Sequence, residues 1–553
     1  MTSHKLSGKT TAIYVIAMAL PVIAYFYLVF RFSVNVPYWD DFEAELGFIL
    51  KYLDPGSASD RFLLLFSRHN EHRIFFVRLA ALADYYLTGS VNFKLLTIAG
   101  NAGMLALAAA VFASFRAEGR DRLLAFVAAA FIIFQPQIMD SMFLAMSAIQ
   151  WYWSLAFVFV SLLCISAHRP RPVIAGFFAV LATFSTGSGI LVFAVILPML
   201  AIGRRYNELW IWGILFMLML WSYMSGFARG EGQPLITALT HPGLLLNYVS
   251  YFLAAPFIGY ADMDVAWSAA IRLAVIGVLA AHAAFLLRRR YYEKNPALFS
   301  MMLYLYLNVP LIAVSRSYFG AEQAIDSRYR IISTLLLAMA AMTFLEQYGG
   351  RWKRQAAAII LAAAVIFNVV SHAENIGYIE ERYNTLNANI ACLGLTGNWA
   401  MTGIIKKFDI YSDKQMADDT VSRSVSKGIY RPPLDASALN RSTLPVSVSL
   451  PRADSMLACG LEGITVAGEW CIMIVKATYA EGLPLDGKAY VVLSSDRDTY
   501  VFDTLPLAWN YFVSIASVKS AQPATYKVGV YAKGRQRDSL TFTGSSIEAA
   551  RAQ

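Results

Sequence analysis

The chain has 553 residues, of which 58% are hydrophobic and only 15% charged. A soluble protein of this length cannot hide such a balance in its cores, and apolar runs of bilayer length make it a polytopic membrane protein. Its net charge of +9 does not make nucleic acid an expected partner, because the basic residues sit mainly in short linkers between apolar runs, where they set orientation in the bilayer.

The first apolar run, Thr11–Phe30, is too long for a signal-peptide core. No small-residue cleavage site follows it before Pro37-Tyr38-Trp39, so it reads as a retained transmembrane helix. Ten further runs of spanning character follow: Phe93–Phe115, Leu123–Met139, Ile149–Ser166, Val173–Ser185, Gly189–Ile202, Leu209–Ser225, Ala266–Leu287, Leu298–Val314, Ile331–Leu345 and Ala356–Val370. The linkers "RAEGRDR", "HRPRP", "GRR", "RRRYYEK" and "GGRWKR" alternate with linkers almost free of Lys and Arg. The positive-inside rule then places the basic set and the N-terminus in the cytoplasm. Leu244–Tyr260 is shorter, contains Pro256 and Gly259, and would invert the next basic loop if it crossed. It reads as a re-entrant or interfacial helix on the outer side; a twelve-span alternative would put the C-terminal region in the cytoplasm.

Three parts are expected: a transmembrane domain over 1–372 including an outward loop 33–92, a connecting segment 373–455, and a β-rich domain over 456–547. The last shows short β-branched and aromatic segments such as "CIMIVKATYA", "KAYVVLSS" and "YKVGVYA", separated by Gly, Pro, Asp and Ser. That is the pattern of a β-sandwich.

Directly after the first helix comes "WDDFE", with Asp40, Asp41, Glu43 and Glu45. Acidic residues here can simply face water or cap the short helix that follows; alternatively one carboxylate serves as a general base, its pKa raised by desolvation near the membrane surface. In the same loop, "SRHNEHRIFFVRL" gathers His69, Asn70, Glu71, His72 and Arg73, a density of hydrogen-bonding groups that suits contacts to substrate or to the acidic motif. His69, Glu71 and His72 have the donor types for a divalent ion, but two histidines at i and i+3 are a weak metal signature. In "SRSYFGAEQAIDSRYR", Arg316, Arg328 and Arg330 cluster with Tyr318 and Tyr329 on the outward side. Guanidinium forks there suit phosphate oxygens, while snorkelling anchors at two helix ends account for one or two of the three. Asp140, Gln150 and Trp151 in "QPQIMDSMFLAMSAIQWYW" suit a hydroxyl-rich ring or an interfacial aromatic belt. "STGSG", Ser185–Gly189, reads as a tight turn.

This arrangement resembles the C-type glycosyltransferase superfamily (GT-C), many-helix membrane enzymes that use a polyprenyl-phosphate-linked sugar donor. Members have an acidic motif in the first outward loop, and many have a soluble C-terminal outward domain. More narrowly, "PYWDDFE" together with "HNEHRI" resembles a group of bacterial inner-membrane proteins that glycosylate cell-surface polysaccharide. The resemblance implies an inner-membrane protein with a periplasmic C-terminal domain, a polyprenyl-phosphate-sugar donor, and a glycan or lipid acceptor. It also implies that the first acidic residue of the pair, Asp40, is the base, with Asp41 orienting the acceptor or a partner such as His72 or Arg73. Asp41 stands where the mannosyltransferases of the superfamily have Glu, which leaves the two roles exchangeable. Arg316, Arg328 and Arg330 would face a common cavity with the first loop and hold the departing lipid phosphate. No cofactor is required by this reading, although a divalent metal is compatible with it.

Two other classes compete. A transporter or flippase of lipid-linked sugars calls for ionisable residues at mid-bilayer depth, whereas most charges here gather on one face. A non-catalytic envelope-assembly protein has no need of the acidic pair. Of the four cysteines, Cys164 lies in an apolar run, and none forms a CxxC pair or a metal-type spacing. A periplasmic C-terminus puts Cys459 and Cys471 in an oxidising compartment at the start of the β-region, where they are expected to form a disulfide.

Overall fold

A computed structural model describes residues 8–54, 56–116, 119–225, 234–259, 262–263, 265–348, 351–434, 445–467, 470–517, 522–534 and 538–549. Pro55 of the first loop, Ala117, Glu118, Gly349 and Gly350 of two basic linkers, Tyr260, stretch 435–444 of the connecting segment, and 468–469, 518–521 and 535–537 of the β-region lie outside the described residues.

The chain is mostly helical with an all-sheet C-terminal region. In order, the elements used below are α1 (Gly8–Phe32), the short strands β1 (Arg68–His69) and β2 (His72–Arg73), α2 (Phe75–Thr88), α3 (Phe93–Ser114), α4 (Gly119–Ile133) and α5 (Ser154–Ile165). They continue with α6 (Pro172–Ser185), α7 (Leu191–Ile202), α8 (Tyr206–Met224), α9 (Pro242–Ala254), α10 (Ala266–Arg288), α11 (Pro296–Arg316), α12 (Ser327–Gln347), α13 (Lys353–Thr396) and α14 (Lys414–Ser426). Proline opens α6, α9 and α11, where its fixed φ suits the first turn and its missing N–H leaves no bond unmade.

Among the described residues, eight helical stretches are long and apolar enough to cross a membrane: Thr11–Phe32, Phe93–Ser114, Asp121–Phe143, Ala145–Ile165, Ala266–Arg288, Pro296–Phe319, Ser327–Gln347 and Lys353–Thr396. The other three expected spans are helical as well. Those in α6 and α7 are shorter, 14 and 12 residues, and α8 is 19 residues diluted by polar and aromatic side chains. The last expected span does not stop at Val370: α13 runs for 44 residues to Thr396. The short apolar segment forms α9, whose 13 residues make a rod of about 20 Å against a hydrocarbon core of about 30 Å.

Two compact units divide the chain. The first is Met1–Ser33, Tyr52–Ala83 and Leu95–Asn375; the second is Val34–Lys51, Asp84–Lys94 and Ile376–Gln553. The outward loop is therefore shared out, its acidic motif going with the C-terminal unit and its histidine-rich part with the helical one.

In the first unit, α3 meets the segment before α5 at very short range. A Cβ on Gly100 would lie 2.5 Å from the Ala148 Cβ, so only glycine lets the two backbones approach this closely. The indole N–H of Trp153 donates to Ala99 O at 2.9 Å across the same junction.

In the second unit, β3 (Leu457–Ala467), β4 (Trp470–Tyr479), β5 (Lys488–Ser494), β6 (Thr499–Asp503), β7 (Leu505–Ala508), β8 (Tyr511–Ser517), β9 (Ala524–Lys533) and β10 (Asp538–Ala549) form two four-stranded antiparallel sheets. Their orders are β10-β9-β5-β6 and β3-β4-β8-β7. Strand alternation explains why β4 is buried on both faces. Its odd positions Met473 and Val475 share a core with Val491, Phe502, Val528 and Val530 of the other sheet. The even positions Ile472 and Ile474 pack instead with Ala388 and Cys392 of α13 and with Met401 and Phe408.

The same register overturns the expected disulfide. Cys459 lies opposite Ala477 and Cys471 opposite Val466, which separates the two cysteines by about 20 Å along the strands. A disulfide needs Cα atoms within about 7 Å, and both thiols are free. The Cys459 thiol donates to Thr541 O at 3.4 Å.

Candidate functional site

The expected site residues fall into two sets, one in each unit.

In the second unit, the acidic motif forms a π-helical turn, Phe42–Gly47, with Asp41 at its N-cap position. π-turns are rare and concentrate at functional sites. Asp41 is buried at 1% exposure, and its Oδ2 accepts the Tyr38 backbone N–H at 3.1 Å rather than capping the turn. Asp40 is half-buried and Glu43 exposed, while Glu45 is buried. Trp39 takes φ +46°, a left-handed conformation uncommon for a bulky residue, and its N–H donates to Ile410 O at 2.8 Å. Aromatic packing fixes this geometry. The Tyr38 ring lies 3.8 Å from the Arg382 guanidinium, and Phe42 packs between Trp399 and Tyr411. The Tyr411 hydroxyl donates to Glu43 Oε1, and burial, followed by the charges of Glu43 and Asp40, pushes the phenol above its usual range.

In the first unit, "HNEHR" is a β-hairpin in which Arg68 pairs with Arg73 and His69 with His72. Asn70 occupies the turn at φ +50°, a conformation asparagine tolerates better than most residues. Arginines hold this hairpin in place. Arg73 Nη2 donates to Ser222 O at 2.9 Å and Ser225 O at 2.8 Å, and Arg68 donates to Tyr223 O. Two cations thus satisfy the orphan carbonyls at the C-terminal end of α8. Burial, followed by the charge of Arg68, lowers the Arg73 guanidinium. Arg78, not singled out from the sequence, donates to Leu64 O, Leu65 O and Ser67 O at 2.6–3.1 Å and organises the approach to the hairpin.

Glu71 leaves the hairpin tip to pair with Arg316 at the end of α11, Oε2 to Nη2 2.6 Å. This ion pair joins the second and third sequence motifs. Tyr318 lies within electrostatic range of both Glu71 and Arg316. Tyr329 lies in the field of Arg316, Arg328 and Glu71, and its ring meets Trp151 edge-on at 5.7 Å. Gln150 sits beside Trp151 in a second π-turn, Ile149–Trp153; its side chain is buried, and its Nε2 has no partner among the described residues.

The three arginines do not share one role. Arg316 takes Glu71. Arg328 places Nε and Nη2 on Asp326 Oδ2 at 3.0 and 2.8 Å, and Arg330 donates to the carbonyls of Ile325 and Ile258 at 2.9 and 3.3 Å. Asp326 and two backbone carbonyls thus engage two of the three forks, which sequence proximity did not reveal.

Asp140 is tied to the same region through its N–H, which donates to Ser327 Oγ at 3.1 Å, while that hydroxyl donates to Gln137 O at 2.8 Å. The "STGSG" turn contributes Gly187. A Cβ there would lie 2.9 Å from the Tyr223 hydroxyl and 3.2 Å from His72 Nδ1. Tyr223 itself donates to Glu71 O at 3.3 Å. Sequence reasoning missed Tyr223 because one tyrosine in an apolar run carries no signal. His69 is buried in the hairpin, with Asn70 Nδ2 3.5 Å from its Nε2. Among the described residues, no group of three or more His, Cys, Asp or Glu side chains is placed to hold a metal ion.

No protein-family model matches the chain, and no curated protein matches it.

Proposed function

We propose that this protein is a membrane-embedded glycosyltransferase of the C-type kind, moving a sugar from a polyprenyl-phosphate-linked donor to a glycan or lipid acceptor of the bacterial cell envelope. In this reading about eleven helices span the inner membrane and the β-rich domain is periplasmic. The observation that carries it is the Glu71–Arg316 pair, which draws hydrogen-bonding groups, a cation and the aromatic rings of Tyr318, Tyr329 and Trp151 into one polar set in a chain otherwise built for lipid.

The chemistry asks for a base to take the acceptor hydroxyl proton. The hydroxyl oxygen then attacks the anomeric carbon, and the sugar–phosphate bond breaks toward the lipid phosphate. Asp40, the more open carboxylate, suits the base; Asp41, buried and holding Tyr38 N–H, suits a positioning role. Arg316 and the exposed Arg328 suit the leaving phosphate, and the buried amide of Gln150 with Trp151 suits the sugar. Transfer of radiolabelled sugar from a panel of polyprenyl-phosphate donors tests this. Asp40→Asn is expected to lose about 100- to 10,000-fold in rate while still binding donor. An Asp40→Asn, Asp41→Asn double variant with near-normal transfer would end the proposal.

A further inference from the structure

Arg272 lies six positions after Ala266 in α10, inside a candidate membrane span. An ionised side chain at such a site is costly unless something compensates it, and it marks a functional site by default. Among the described residues no carboxylate pairs with it. Its partners are neutral: Nη1 donates to Asn247 Oδ1 at 2.8 Å and to Ser250 Oγ at 3.0 Å, and the guanidinium lies 4.0 Å from the centre of the Tyr251 ring. Nε is buried with no acceptor.

These three neighbours come from one face of α9, at the i, i+3, i+4 spacing. Each is fixed. Ser250 gives its own hydrogen to Asn247 O at 2.7 Å, so toward Arg272 its oxygen can only accept. The Tyr251 hydroxyl donates to Met263 O at 2.8 Å, and the same carbonyl takes the Ser268 hydroxyl of α10 at 3.1 Å. A guanidinium that merely snorkels would extend along α10 toward water. This one is held against a second helix with donor capacity left over, about 9 Å along the axis from the start of α10.

We propose that Arg272, with Asn247, Ser250 and Tyr251, is a seat for a lipid-borne phosphate. The phosphate supplies the missing negative charge, and its alkyl chains lie along the exposed apolar surface of α10, where Leu273 and Val278 face outward. The Tyr251 ring and the two amide and hydroxyl acceptors orient the guanidinium plane so that its remaining N–H groups meet phosphate oxygens. The proposal stands without glycosyl transfer, because an anionic glycerophospholipid and a polyprenyl phosphate both carry a phosphate whose charge no choline cancels.

Native mass spectrometry of the purified full-length protein in detergent tests it, with phosphatidylglycerol, phosphatidylcholine, farnesyl phosphate and inorganic phosphate as separate additions. The wild type should take up phosphatidylglycerol or farnesyl phosphate at about tenfold lower concentration than phosphatidylcholine, and the stronger of the two identifies the lipid source. Arg272→Gln should bring all lipids to parity, and Arg272→Lys should fall between. Asn247→Ala with Ser250→Ala keeps the charge but loosens its hold, and should lose several-fold of the preference. Size-exclusion profile and helical circular dichroism confirm folding in each case. An undiminished preference in Arg272→Gln overturns the proposal, as does a wild type indifferent to headgroup charge or a site saturated by inorganic phosphate in place of lipid.

Discussion

The Glu71–Arg316 pair makes an asymmetric prediction. The two side chains are 47% and 20% exposed respectively, so each substitution strands a differently hydrated partner. Glu71→Gln leaves a guanidinium mostly out of water without its counter-charge, and should destabilise the first unit by about 1–2 kcal/mol; Arg316→Gln leaves a carboxylate nearly half in water, and should destabilise it by about 0.5–1 kcal/mol. At 2.6 Å the bond is charge-assisted, yet solvent screens it, so the coupling should be about 1 kcal/mol, above the usual exposed pair and below a buried one. The assay is guanidinium-induced unfolding in detergent for wild type, both single variants and the double variant, analysed as a cycle at constant denaturant slope. Guanidinium is itself a salt, so the cycle should be repeated in urea, where adding salt should shrink the coupling. Single effects that add to within about 0.3 kcal/mol, or equal costs for the two substitutions, would refute the reasoning.

Gly187→Ala brings a methyl to 2.9 Å from the Tyr223 hydroxyl. It should destabilise by about 1–3 kcal/mol, and Tyr223→Phe in the same chain should recover part of that; a denaturation midpoint unchanged by Gly187→Ala would remove the close contact. All four cysteines should be found as thiols by intact mass after alkylation in denaturant without reductant. In the folded protein Cys471 should alkylate slowly at pH 8, because burial pushes its thiol up to about 11; a mass two protons short would restore the bridge. Asp84 is raised above the ordinary 3.8 by burial, which outweighs the bond from Asn92 N–H. Its carboxyl therefore favours folding most when protonated below that ordinary value, and the contribution fades as pH rises through the raised one. Asp84→Asn should flatten stability across that window, measured by urea titrations between pH 4 and pH 7, and an unaltered slope would count against it.

Period-based signals were the legible ones. Apolar runs located the helices because bilayer length is written in composition, and β-branched alternation located β4, β5, β6, β8, β9 and β10 but not the short, proline-containing β7. The β3 strand was less visible because Cys459, Gly460, Glu462 and Gly463 interrupt its pattern. Unusual charge density marked "HNEHR" and "SRSYFGAEQAIDSRYR", which the Glu71–Arg316 pair joins. What escaped was the assignment of partners. Whether Arg73 faces a ligand or caps a helix depends on α8 ending near it, roughly 150 positions away in the chain. Cys459 and Cys471 looked close because 12 positions separate them, but a hairpin reverses direction at its turn, and residues at unequal distance from that turn end far apart.

The helix α9 shows how a segment too short to span can still organise what lies beside it. Its 13 residues cannot carry both ends to water through a bilayer, so lateral contacts have to satisfy its polar groups. The face bearing Asn247, Ser250 and Tyr251 does so by holding Arg272 of α10. Tyr248 and Phe252 point the other way: Tyr248 lies in the fields of Arg316, Asp326 and Arg328, and Phe252 O accepts the Ser333 hydroxyl of α12 at 2.5 Å. One turn of sequence, "NYVSYF", therefore faces two cationic regions at once. The Tyr248 hydroxyl is buried without a partner among the described residues, a state that a folded protein tolerates rarely.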